Sequence, residues 1–263
     1  MAIKTNLKSM TPRRQAYKRE ITLLSHGYTN PKAWPDGKLT VYPWDNAIDQ
    51  WLLDNLKKLT KPDLVYGLLR NCCDLRGGDT AKVEDIIGKF VADEINVVLL
   101  VSRALTTDGV VSYTAVCPHC GAKKAEKIKV PDELEKVGEK TMDYAGSDSV
   151  TLPDVADIVA LRPLTVDDEK VIASRTEELR RATPDGELRT VMRVVTINET
   201  KPDTLAELIL WFRALSPKDA KFLEEQGRLI TPHLNTMVPH ICDEPECGKK
   251  FNFPLNFDQD FFR

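Results

Sequence analysis

The sequence has no basic excess. Lys plus Arg number 37 against 40 Asp plus Glu, for a net charge of -3. A dedicated nucleic-acid binder carries a strong basic surplus, which disfavours that class and leaves only a local patch open. Long hydrophobic runs are missing too. The longest, Ile95 to Val101, is interrupted by Asn96 and is far too short to span a bilayer. Met1 to Arg19 is polar and basic, without the apolar core of a secretory signal. The expectation is a chain made in a cytoplasm that stays there unless an assembly carries it out. There is no phosphate loop, no G-x-G-x-x-G and no serine nucleophile elbow, so no enzyme and no small-molecule substrate are expected. What remains is ordinary for a globular chain: 263 residues, 42% hydrophobic and 29% charged, enough for a real core.

Residues 1–40 read as an extended N-terminal arm, punctuated by Pro12, Gly27, Pro31, Pro35 and Gly37. Such an arm is either solvated or ordered on a neighbouring subunit. Residues 41–110 read as a helical region. Helices are expected over 45–59, 62–73, 80–90 and 93–105, with a turn at Arg76-Gly77-Gly78-Asp79. The apolar run of the fourth suits a strand equally well, because periodicity alone does not separate a buried strand from a buried helix. Residues 111–263 read as a zinc-ribbon-like domain with a helical insertion over about 131–236. Within it, 131–153 is expected as a long loop, 165–181 as one helix capped by Thr165, 188–197 as helix or strand, and 202–215 as a helix. Another helix starts at the capping Ser216 and ends near Gly227. The fold class is therefore α+β, mostly helical, with a small antiparallel zinc-ribbon-like β element formed by two distant hairpins.

The six cysteines carry the chemistry. In a cytoplasmic chain they are metal ligands or core residues rather than disulfides. Cys117-Pro118-His119-Cys120-Gly121 and Cys242-Asp243-Glu244-Pro245-Glu246-Cys247-Gly248 share one context. Each follows a strand-like run, and each leads through Gly and two lysines into another. Two thiolates separated by two to four residues reach one metal from a tight turn, and a Gly after the second lets the chain swing away. Two such knuckles imply one structural zinc per chain, held by Cys117, Cys120, Cys242 and Cys247. Four thiolates close the shell and leave no catalytic position. The separation of 122 positions makes the intervening block an insertion clipped at its ends.

Other readings are blander. Four reduced cysteines without metal remain the simplest alternative to zinc. His119 and His240 are spare ligand candidates only. Cys72 reads as a small core hydrophobe. The pairs Asp167–Asp168 and Glu177–Glu178 read as solvated helix faces, and His26 and His233 have no recognisable partner. Lys123, Lys124, Lys127 and Lys129 could touch phosphates, although acids dilute the patch. Phe251, Phe253, Leu255 and Phe257 alternate as in a half-buried strand. The closing Phe261-Phe262 belongs on the chain's own core or on a neighbour.

The first knuckle, the stretch Leu161-Arg162-Pro163-Leu164-Thr165 with Asp168-Glu169, and Cys242…Cys247 followed by Phe251 to Phe262 resemble the baseplate hub family of T4-type contractile-tailed bacteriophages. The resemblance covers roughly residues 93–263. It implies a virion structural component of the tail, contacting hub, spike, tube or tape-measure proteins, with no enzymatic activity. A zinc-ribbon nucleic-acid-binding factor and a tail-assembly chaperone absent from the virion are the alternatives.

Overall fold

The computed structural model describes residues 17–59, 61–75, 83–107, 109–140, 144 and 146–255. Residues 1–16 of the expected arm, the Arg76–Asp79 turn, and the tail with Phe257, Phe261 and Phe262 lie outside that range. The described chain is 38% helical and 24% strand, with small antiparallel sheets. It is α+β, and the expectation of a mostly helical chain overstated the helix.

Residues 17–40 are more structured than an irregular arm. Strand β1 (Arg19–Thr22) pairs antiparallel with β2 (Lys38–Val41). The loop between them buries Leu23, Leu24 and Trp34. Glycine makes this loop possible: Gly27 and Gly37 both have positive φ, and a Cβ on Gly37 would lie 2.8 Å from the His26 Cα. This part of the expected arm therefore contributes core residues rather than a solvated tail.

Helices α1 (Asn46–Asn55), α2 (Lys61–Cys72) and α3 (Val83–Gly88) follow. A short 3-10 turn (Ala92–Glu94) then leads into α4 (Ile95–Thr107). The ambiguous apolar run is thus a helix, and its surroundings explain the ambiguity. One side of α4, with Ile95, Val98 and Leu99, packs into the N-terminal core around Trp34, Trp44 and Phe90. The other side, with Val97 and Leu100, packs into a second core with Leu24, Ile128 and Leu255. A helix covered on both sides carries apolar residues over most of its circumference, so its run of consecutive apolar residues also fits a buried strand.

The second core underlies two hairpins. One is β3 (Val110–Val116) with β4 (Lys123–Lys129); the other is β10 (Met237–Ile241) with β11 (Lys250–Pro254). Between them the expected helical insertion is mixed. The segment 131–153, expected as a loop, holds β5 (Lys136–Val137) and β6 (Asp148–Thr151). Strands β6, β7 (Ile158–Leu161) and β8 (Val194–Ile197) form a three-stranded antiparallel sheet. The single helix expected over 165–181 is two, α5 (Val166–Ala173) and α6 (Glu177–Ala182), because Thr176 opens a new cap by accepting from the Leu179 N–H. Helix α7 (Asp185–Met192) precedes β8, so the segment 188–197 is helix and then strand. Helices α8 (Leu205–Ala214) and α9 (Pro217–Leu229) lay Leu208, Phe212 and Leu223 on the sheet. Ser216 caps α9 as expected, accepting from the Asp219 N–H.

The insertion closes on itself. β5 pairs with β9 (His233–Leu234), and Asn235 N donates to Glu135 O at 2.7 Å. Leu134 and Leu234 meet in the second core. This short ladder brings the two distant hairpins side by side.

Candidate metal centre

Each knuckle is a turn at the end of its hairpin. In the first, Cys117 N donates to Ala122 O at 2.9 Å and Gly121 N donates to Cys117 O at 2.9 Å. In the second, Cys242 N donates to Lys249 O, while Cys247 N and Gly248 N both donate to Glu244 O. Gly121 has φ +76° and Gly248 φ +54°, and a Cβ on either would meet nothing within 4 Å. Glycine is needed here for the left-handed backbone rather than for space.

The four sulfurs of Cys117, Cys120, Cys242 and Cys247 all lie within 4.8 Å of one another. Cys120 Sγ is 3.5 Å from Cys242 Sγ, and Cys117 Sγ is 3.8 Å from Cys247 Sγ. Tetrahedral thiolates about 2.3 Å from a common ion lie about 3.8 Å apart. The cluster therefore has the dimensions of a four-thiolate metal site, and these side chains can hold an ion. Cys117 and Cys242 are buried, Cys247 is half-buried and Cys120 is exposed.

The thiols do not share protons evenly. Burial raises Cys117, but the backbone N–H groups of His119 and Cys120 outweigh it and bring the thiol down to about 7. At Cys242 the N–H of Glu244 favours the thiolate, yet burial and the surrounding thiols push it up to about 12. Crowded thiolates without a cation oppose one another's ionisation.

Pleating aims the hairpins at each other. Tyr113, Ala115 and Cys117 alternate along one face of β3, and His240 leads to Cys242 on the facing strand. Tyr113 Oη lies 3.0 Å from His240 Nε2, and the Tyr113 ring stacks on Phe253 at 5.6 Å. Lys124 Nζ bridges Asp243 at 2.9 Å and Glu126 at 2.8 Å. Sequence reasoning missed Tyr113, which sits in no motif, and the role of Asp243, which lies inside the second knuckle but gives no local sign of its Lys124 partner. The alternation Val111, Tyr113, Ala115 was the available signal for the first.

The other candidates disperse. His119 is exposed, and His240 is engaged by Tyr113; neither belongs to the sulfur cluster. Cys72 and Cys73 are core residues, and the Cys73 thiol donates to Leu69 O. His233 Nδ1 lies 2.7 Å from Thr231 O. Asp168 is held by Arg162 through two bonds of 2.6 and 3.0 Å and caps α5 with Thr165. Of the four lysines, Lys124 is locked between carboxylates and Lys129 pairs with Asp132. Lys123 and Lys127 form no ion pair among the described residues. No helix among the described residues is long and apolar enough to cross a membrane. No family model, curated protein or solved structure matches the chain.

Proposed function

We propose that Cys117, Cys120, Cys242 and Cys247 bind one structural zinc ion per chain, and that the chain is a non-catalytic structural subunit of a bacteriophage tail baseplate. The observation that carries the metal is the convergence of four thiolates from turns 122 positions apart at tetrahedral spacing. Zinc is favoured because soft thiolates in a tetrahedral set suit it, with iron as the competing ion. Four protein ligands leave no place for a reactive water, which supports a structural role. In this reading the ion fixes the facing of two hairpins whose stems the β5–β9 ladder already holds together.

The baseplate role rests on the resemblance of the first knuckle, of Leu161 to Thr165 with Asp168-Glu169, and of Cys242…Cys247 followed by Phe251 to Phe262, to the phage hub family. In the assembly, the subunit contacts hub, spike, tube or tape-measure proteins and stays in the virion. Elemental analysis of the purified chain tests the metal: about one zinc is expected, and a folded chain with none overturns it. Mass spectrometry of purified particles tests the assembly role, since a chaperone or a nucleic-acid-binding factor would be absent from them. Lys124 and Lys129 of the four-lysine patch are paired with acids, which weighs against the nucleic-acid reading.

A further inference from the structure

The four thiols differ in what can reach them. Cys120 is exposed, whereas Cys117 and Cys242 are buried at 2% and 7% exposure. An oxidant arriving from solvent meets Cys120 first. The thiol beside it is not only its knuckle partner. Cys242, on the other hairpin, has its sulfur 3.5 Å away, and the Cys117–Cys247 pair, at 3.8 Å, also crosses between hairpins. A disulfide needs the sulfurs at about 2.05 Å, so the first pair has about 1.5 Å to close. The side chains converge on one point, and the hairpin backbones are held by their own ladders and by the Tyr113–His240 contact.

We infer that this centre is a peroxide-oxidisable site at which Cys120 reacts first and Cys242 resolves it, exchanging a metal tie between the hairpins for a covalent one. The Cys120 thiolate attacks one oxygen of a hydroperoxide. The O–O bond breaks, Cys120 becomes a sulfenic acid, and hydroxide (or alkoxide) leaves. The Cys242 thiolate then attacks the sulfenic sulfur. The S–O bond breaks, hydroxide leaves and the disulfide forms. Two electrons pass from the two sulfurs to the peroxide, and the released anions take up protons. Only Cys117 and Cys247 would then remain to hold an ion, and two thiolates would hold it far more weakly than four. A second equivalent joins Cys117 to Cys247 in the same way. The hairpins stay joined, so oxidation removes the metal without separating them. Buried Cys72 and Cys73 take no part.

The zinc-release arm rests on the proposed metal; the disulfide arm does not. The experiment treats the purified full chain with one equivalent of hydrogen peroxide. Zinc release is read with a colorimetric chelator, free thiols are blocked with a maleimide, and linked peptides are mapped by mass spectrometry without reduction. The expected result is a dominant Cys120–Cys242 peptide, about one zinc released per peroxide consumed, and an unchanged far-ultraviolet circular dichroism spectrum. Dithiothreitol with added zinc restores the starting material. A dominant Cys117–Cys120 or Cys242–Cys247 peptide overturns the inference, as does sulfinic acid at Cys120 without any disulfide. If the chain proves metal-free, the proposed zinc fails, and the peptide map of that same chain still decides the pairing.

Discussion

Tyr113 and His240 meet across the two knuckle hairpins, Oη to Nε2 at 3.0 Å, although 127 positions separate them. The contact joins two separate two-stranded sheets that share no ladder hydrogen bonds. Removing the hydroxyl leaves the His240 nitrogen without this partner in a partly buried setting. Tyr113→Phe should therefore lower stability by about 1 kcal/mol, with the metal retained. Chemical denaturation and zinc content read the two quantities separately. Loss of zinc in this variant would mean the contact builds the site rather than steadying it.

Removing a ligand should cost more. Cys242→Ser is expected to lose most of its zinc and to be destabilised by roughly 3 kcal/mol or more, since binding to a site absent from the unfolded chain is folding free energy. For a chain of this size that corresponds to a fall in Tm of roughly 6–12 °C. Chelator treatment of the wild type should reproduce most of the shift. An unchanged Tm in both cases would leave the cysteines as a reduced cluster of no structural consequence.

The knuckle glycines separate conformation from space. Gly121 sits at φ +76° with open surroundings. Gly121→Ala should cost about 1 kcal/mol from left-handed backbone strain alone. Gly121→Asn should cost less, because Asn tolerates that region. Equal losses for Ala and Asn would point to a clash that the open surroundings of Gly121 do not provide.

Asp168 is the centre of a small lock. It accepts from the Arg162 guanidinium, the Thr165 N–H and the Thr165 hydroxyl. Burial works against its ionised form, but the Arg162 bonds outweigh that and hold the carboxyl below its ordinary value. A depressed carboxyl stabilises the fold above its unfolded pKa, and that stability is lost as pH falls through the folded one. Asp168→Ala should destabilise by about 2 kcal/mol at neutral pH, combining a lost cap with a stranded arginine. The difference from wild type should shrink in acid, as followed by thermal melts across pH.

Glu94 has the opposite sign. It is buried, and its two oxygens accept from the Ser25 N–H at 2.9 Å and the Ser25 hydroxyl at 2.8 Å. Burial, which outweighs these bonds, raises its pKa to about 7. Stability from the protonated form is fully present below the unfolded value of about 4.3 and is lost as pH rises through about 7. Glu94→Gln, which cannot ionise, should remove this component and be relatively more stable than wild type at pH 8 than at pH 5. Parallel pH profiles for the two proteins would show that the carboxylate is ionised throughout.

The cysteine spacing, the glycine after each pair and the strand-like flanks were enough to select Cys117, Cys120, Cys242 and Cys247, because a knuckle is local. Its turn, its bonds and its left-handed glycine are all set within a few residues. The caps at Thr165 and Ser216 were legible for the same reason. The facing of Tyr113 on His240 was not, nor was the burial of Leu24 beneath the hairpins or the pairing of β5 with β9. These depend on which surfaces meet after the chain has travelled more than a hundred positions, and short strands such as Lys136–Val137 have too few residues for any pattern. The helical spacing of Ile95, Val98 and Leu99 was legible, but the double burial of α4 added Val97 and Leu100 to the same run and made it fit a strand as well. The sequence by itself thus determined the four cysteines and the turns that present them. Only the tertiary structure decided how the two turns meet, since that is fixed by the packing of two cores on opposite sides of one helix and by a two-residue ladder closing the insertion between them.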